Sequence, residues 1–170
     1  MMKKSLSILA LSMLPAFAMA AGSHAGGHGG PAHGMPGHDM STMSQVSFPN
    51  GQPGDPAQVT RTIEIEMLDT MRFSPDEIQV KAGETVRFFV KNPGKLPHEM
   101  VIGSLADLKA HAIEMRQNPH MKHDEPNAIT LEPGQRGGIV WKFDKAGTVD
   151  FACTIPGHME GGMVGKVQVM

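Results

Sequence analysis

A thiol, an imidazole and a thioether fall within one short stretch near the C-terminus, Cys153-Thr154-Ile155-Pro156-Gly157-His158-Met159-Glu160-Gly161-Gly162-Met163. Pro156, Gly157, Gly161 and Gly162 let the backbone turn sharply, so side chains spaced as Cys-x4-His-x4-Met can converge on one point. Cys153 is the chain's single cysteine, and a lone thiol is an intermolecular bridge, an inert buried group or a thiolate held for a purpose. Its neighbours favour the third. Two imidazoles, one thiolate and a weak axial thioether form the ligand group of electron-transfer copper. A structural zinc site fits less well, because such sites close with four Cys or His ligands and rarely include a thioether.

The set needs a second histidine from elsewhere in the chain. His98 is the best placed, at the start of an expected strand just after the turn Asn92-Pro93-Gly94-Lys95-Leu96-Pro97. His111, His120 and His123 compete with it, lying on or after an expected helix.

The elements that must position these groups are short. From Val59 onward, runs rich in Val, Ile, Thr and Phe are separated by Gly, Pro, Asn and Asp, which reads as strands. The expected strands are Val59–Leu68, Glu77–Val80, Thr85–Lys91, His98–Ile102, Asn127–Leu131, Gly137–Phe143, Gly147–Ala152 and Met163–Val169. Ser104–Gln117 is the one expected helix, with Ser104 as N-cap and Leu105, Leu108, Ala112 and Met115 spaced as an apolar stripe. Many short strands with one helical insertion predict an all-β antiparallel sandwich.

Upstream, Lys3 and Lys4, an apolar stretch from Leu6 to Phe17, and Ala18-Met19-Ala20 have the form of a secretory signal, residues 1–20. The expected mature chain is therefore exported to the periplasm. No later segment is long and apolar enough to span a membrane, so no stable membrane insertion is expected. Residues 21–57 form a Gly-, Pro-, Ser-, His- and Met-rich tail, too poor in bulky apolar side chains to offset its ordering entropy, and are expected to be disordered. His24, His28, His33 and His38, followed by Met35, Met40 and Met43, could collect copper weakly, the thioethers favouring Cu(I). Residues 58–170 remain as one domain. Without Lys3 and Lys4, 13 bases stand against 17 acids, a formal charge of −4, which gives no support for nucleic-acid binding.

A His after a strand turn, followed by Cys-x4-His-x4-Met before the last strand, makes the region from about Val59 to Met170 resemble a cupredoxin, the fold shared by plastocyanin, azurin and auracyanin. The resemblance extends to the periplasmic copper-tolerance cupredoxins. It implies a Greek-key sandwich of about eight strands with one type 1 copper, cycling between Cu(II) and Cu(I), held by His98, Cys153, His158 and Met163. The four-residue gap between Cys153 and His158 is closer to azurin and auracyanin than to plastocyanin. Glu99 stands where several relatives have an Asn that ties the two ligand loops together, a departure that bears on the hydrogen bonding around Cys153.

Two functions are consistent with this: a soluble electron carrier docking with a cytochrome or other redox partner, and a protein of copper tolerance and homeostasis that binds copper or exchanges it with a copper-handling protein. The His/Met tail, with His120, Met121 and His123, favours the second. Catalysis is not expected, because multicopper enzymes need further His clusters and all four coordination positions here are filled. A monomer is expected.

Overall fold

A computed structural model describes Phe48, residues 51–118 and residues 125–170. The expected signal, nearly all of the His/Met tail, and His120, Met121 and His123 lie outside the described residues. Ten strands and one helix follow in order: β1 (Gly51–Pro53), β2 (Arg61–Leu68), β3 (Arg72–Ser74), β4 (Glu77–Val80), β5 (Thr85–Lys91), β6 (His98–Gly103), α1 (Leu105–Gln117), β7 (Ala128–Leu131), β8 (Arg136–Phe143), β9 (Gly147–Ala152) and β10 (Val164–Val169). One sheet has the order β1-β8-β5-β2-β3 and the other β4-β10-β9-β6-β7. Two sheets with one helical insertion match the expected β-sandwich, with ten strands among the described residues where about eight were expected.

Alternation of side chains builds the core between the sheets. In β5, Val86, Phe88 and Val90 are buried while Arg87 is exposed; in β8, Ile139, Trp141 and Phe143 are buried in the same way. Such a period of two puts one face of each strand against the opposite sheet. β6 is buried along its whole length. Met100 and Ile102 face the main core, and Val101 packs with Ala152 beneath Leu108 of α1. That second cover turns β6 into an interior strand on both faces.

Several details depart from the sequence reading. The sandwich is not wholly antiparallel: β2 pairs in parallel with β5, and β4 in parallel with β10. Two three-residue strands, β1 and β3, are too short to show an alternating pattern. β1 lies within the stretch assigned by composition to the tail, yet Gly51, Gln52 and Pro53 pair with Phe143, Lys142 and Trp141 of β8. The reason is Trp141, which is fully buried and meets the ring of Phe48 edge-on at 4.9 Å. A Cβ at Gly51 would fall 2.3 Å from its Nε1, so this close approach needs glycine. α1 begins as expected, with Ser104 Oγ accepting from Asp107 N at 3.1 Å. Leu108, Ala112 and Met115 are buried, but Leu105, expected in the stripe, is 46% exposed at the first turn.

β10 leads away from Met163, so its seat against β9 fixes where the stretch of candidate donors ends. Val164 lies opposite Ala152 and Gly165 opposite Phe151. A Cβ at Gly165 would meet Phe151 Cζ at 2.2 Å and the Asp76 carbonyl oxygen at 2.7 Å. Replacing Gly165 by Ala is expected to cost about 1–3 kcal/mol through overpacking. Urea denaturation should show a lower midpoint with unchanged slope.

Candidate metal centre

Two chain segments carry the candidate donors to one end of the sandwich. His98 opens β6 and faces the same side as Met100, into the core, while Cys153 follows directly on β9, the neighbour of β6. The loop after Cys153 then folds back on itself: His158 N–H donates to Ile155 O at 3.0 Å and Gly161 N–H to Gly157 O at 3.0 Å. Gly157 and Gly162 hold φ of +89° and +96°, in the left-handed region that suits glycine. Met163 N–H donates to His158 O and Cys153 N–H to Met163 O, both at 3.0 Å, closing the loop at its base.

The result is a cluster in which donor atoms of His98, Cys153 and His158 all lie within 4.8 Å of one another. It is the one His/Cys/Asp/Glu group with metal-holding geometry found among the described residues. Cys153 Sγ is 3.3 Å from His158 Nδ1, and the two imidazole rings are 5.0 Å apart. His98, Cys153 and Met163 are fully buried, whereas His158 is half-buried at the surface. Of the competing histidines, His111 is on α1 outside this cluster, with Nδ1 3.8 Å from Glu114.

The immediate surroundings explain how polar donors tolerate an apolar core. Glu99 N–H donates to Cys153 Sγ at 3.3 Å, linking β6 to the end of β9. Since side chains alternate along β6, the Glu99 carboxylate points away from the core, where Thr130 Oγ1 donates to it at 3.0 Å and Thr154 Oγ1 donates to its other oxygen. Glu99 is fully buried, and so is Thr154. The carboxylate thus joins β6, the strand that carries His98, to β7 and to the residue after Cys153.

A second set of contacts comes from the turn between β2 and β3. Asp69 Oδ1 lies 3.1 Å from His98 Nε2, and the same carboxylate accepts from Lys95 N at 2.8 Å and Leu96 N at 3.3 Å. Arg72, the first residue of β3, donates from Nη1 to Met71 O at 2.6 Å and to Gly161 O at 2.8 Å, reaching the loop between Cys153 and Met163. Buried Asn92 ties the β5–β6 turn, donating to Leu96 O and Leu131 O at 2.8 and 2.9 Å and accepting from Gly94 N. Sequence reasoning assigned none of Asp69, Arg72, Asn92, Thr130 or Thr154 to the site. Only Thr154 carried a local signal, its adjacency to Cys153.

A carboxylate can only accept, so His98 Nε2 carries the proton toward Asp69. In the neutral ring His98 Nδ1 is then a lone-pair donor, and it is buried without a hydrogen-bond partner. Burial, and next the nearby His98, hold the His158 pKa below its ordinary value, so that ring is a neutral donor at neutral pH. The Lys95 amide and then the His98 ring hold Asp69 below the usual carboxylate range. Burial pushes the Cys153 thiol up to about 12 against the favourable Glu99 amide. An orphaned imidazole nitrogen, a second neutral imidazole and a desolvated sulfur form a set that fits a soft-to-borderline cation such as copper.

The family profile for copper binding proteins of the plastocyanin/azurin family matches residues 59–170. A copper-resistant cuproprotein CopI from Rubrivivax gelatinosus is 55% identical over 121 residues, covering 71% of this chain and 73% of its own. A copper-resistant cuproprotein CopI from Vibrio cholerae is 31% identical over 170 residues, covering 99% and 100%. Among solved structures, reduced auracyanin from Roseiflexus castenholzii is similar with a TM-score of 0.56 and 28% identity, over 66% of this chain and 98% of that one.

In chain prepared without metal, the unfolded thiol ionises near pH 8.5 while the folded one stays protonated to about 12. Its stabilising contribution is therefore complete below about pH 8.5 and is lost as pH rises toward 12. Urea midpoints should fall between pH 8 and 10.5, and fall less in Cys153→Ser.

Proposed function

Since the chain belongs to the plastocyanin/azurin family of copper-binding proteins, we propose that it is an exported copper-tolerance protein with one redox-active centre held by His98, Cys153, His158 and Met163. The observation that carries this reading is the buried, partnerless Nδ1 of His98, set beside Cys153 and His158 with all donor atoms inside 4.8 Å. An imidazole nitrogen desolvated without a partner is costly, unless it serves as a ligand. Bound copper would supply one-electron redox chemistry between Cu(II) and Cu(I).

The protein's own residues perform the rest. His98 and Cys153 are fixed by strands, which limits how far they can move between oxidation states. Met163, buried at the base of the loop, would offer its thioether to the metal and so tune its potential. His158, the most exposed of the four, provides a route for electrons to the surface. Export to the periplasm follows from the signal-like residues 1–20, and the His/Met tail serves as a weak collector. The names of the CopI relatives support a role in copper resistance. The half-exposed His158 also suits a second reading, a soluble carrier that exchanges electrons with a cytochrome.

Copper titration separates the two readings. Mature protein should take up more than one copper, a variant lacking residues 21–47 should take up one, and cells carrying that variant should tolerate less copper. Equal uptake and equal tolerance would leave the electron-carrier reading. Cys153→Ser should abolish the intense thiolate-to-copper absorption in both forms, and persistence of that band would refute the ligand set.

A further inference from the structure

We propose that Asp69 is a positioning residue for the metal centre, holding the His98 ring with Nδ1 inward and favouring the more highly charged oxidation state. This rests on the copper reading above. Asp69 comes from the β2–β3 turn of the opposite sheet, far in sequence from every candidate ligand, yet its carboxylate is 3.1 Å from His98 Nε2.

Three observations set this contact apart from a chance surface pair. The carboxylate uses both oxygens on the segment that carries His98: Oδ2 accepts from Lys95 N, and Oδ1 accepts from Leu96 N as well as the ring. The turn is shaped around it, because a Cβ at Gly94 would lie 2.1 Å from Asp69 Oδ1. Gly94 does not occupy the left-handed region, so the glycine there answers to the carboxylate's space and not to backbone conformation. Finally, the turn bearing Asp69 is itself anchored, by Met71 N–H to Leu68 O at 3.0 Å and by Arg72 to Gly161 O of the ligand loop.

The chemical consequence follows from the direction of the hydrogen bond. A carboxylate accepting from the far nitrogen of a ligating imidazole fixes the tautomer and ring orientation and makes the near nitrogen a stronger donor. A stronger nitrogen donor stabilises Cu(II) more than Cu(I), which lowers the reduction potential. Asp69 is 36% exposed on its side chain, so solvent moderates its charge without removing the orienting bond.

The test compares full-length, copper-loaded protein with Asp69→Asn, which keeps an oxygen acceptor and loses the charge, and Asp69→Ala, which loses both. The Asn variant should bind one copper at the centre, keep a urea midpoint close to the parent's, and favour Cu(I) by about tenfold, a rise of about 59 mV for one electron. The Ala variant should show at least that rise together with a loss of copper affinity of about 10–100-fold. Gly94→Ala, which displaces the carboxylate, should move the potential in the same direction. Unchanged potentials in both Asp69 variants, with the urea midpoint alone lowered, would mean that Asp69 only folds the turn, and would overturn the proposal while leaving the copper reading intact. Failure of the parent protein to form a Cys153-dependent copper band would overturn both.

Discussion

The amide of Glu99 donates to the sulfur of Cys153 across 3.3 Å, extending the pairing of β6 with β9 to the end of the sandwich where the candidate donors gather. It brings the start of β6 to the end of β9, and strand alternation then decides the rest. His98 turns inward toward the sulfur. Glu99 turns outward, where a fully buried carboxylate is tolerable only because Thr130 and Thr154 donate to it from the two flanking segments. One backbone hydrogen bond therefore sets a candidate donor on one face of the strand and a polar brace on the other.

The same burial that shapes the site sets its appetite for a cation. Apolar walls disfavour a bare thiolate, and they hold the His158 ring neutral. The fold thus withholds negative charge from the sulfur until something positive is present, so uptake of a metal must release the thiol proton. The groups arranged around the cluster compensate in part: the Glu99 amide points its N–H at the sulfur, and Asp69 draws the His98 proton to the far side of the ring. Each acts on the cluster from a different sheet of the sandwich.

How far the sequence discloses this depends on the range of the contacts. The Cys153–Met163 loop is legible because all its determinants are local, β5 and α1 are legible because their periodicity survives over six or more residues, and β6 is legible as a short apolar run after a Pro/Gly turn. β1 and β3 escape notice at three residues each, and β1 exists because Phe48 and Gly51 cover Trp141 from across the chain. The parallel pairings of β2 with β5 and β4 with β10 join segments separated by a strand or more, which no local pattern encodes. Leu105 fits the apolar spacing of α1 but sits at the helix entrance, beyond the cover of β6 and β9. Asp69 had no signal at all: in sequence it is an acidic residue in a tight turn, and its partner at His98 becomes visible only when the two sheets close.

The hydrogen bond from Cys153 N–H to Met163 O is the last rung of the β9–β10 ladder, continuing the register in which Val164 faces Ala152. Above that rung, the residues between Cys153 and Met163 pair with no strand. Length and composition of this arc are thereby uncoupled from strand register, so an insertion or exchange within it alters the spacing of Cys153, His158 and Met163 without shifting any residue of the core to the wrong face. The sandwich is in this sense a frame with one replaceable part, its strands held in register whatever the arc above them contains.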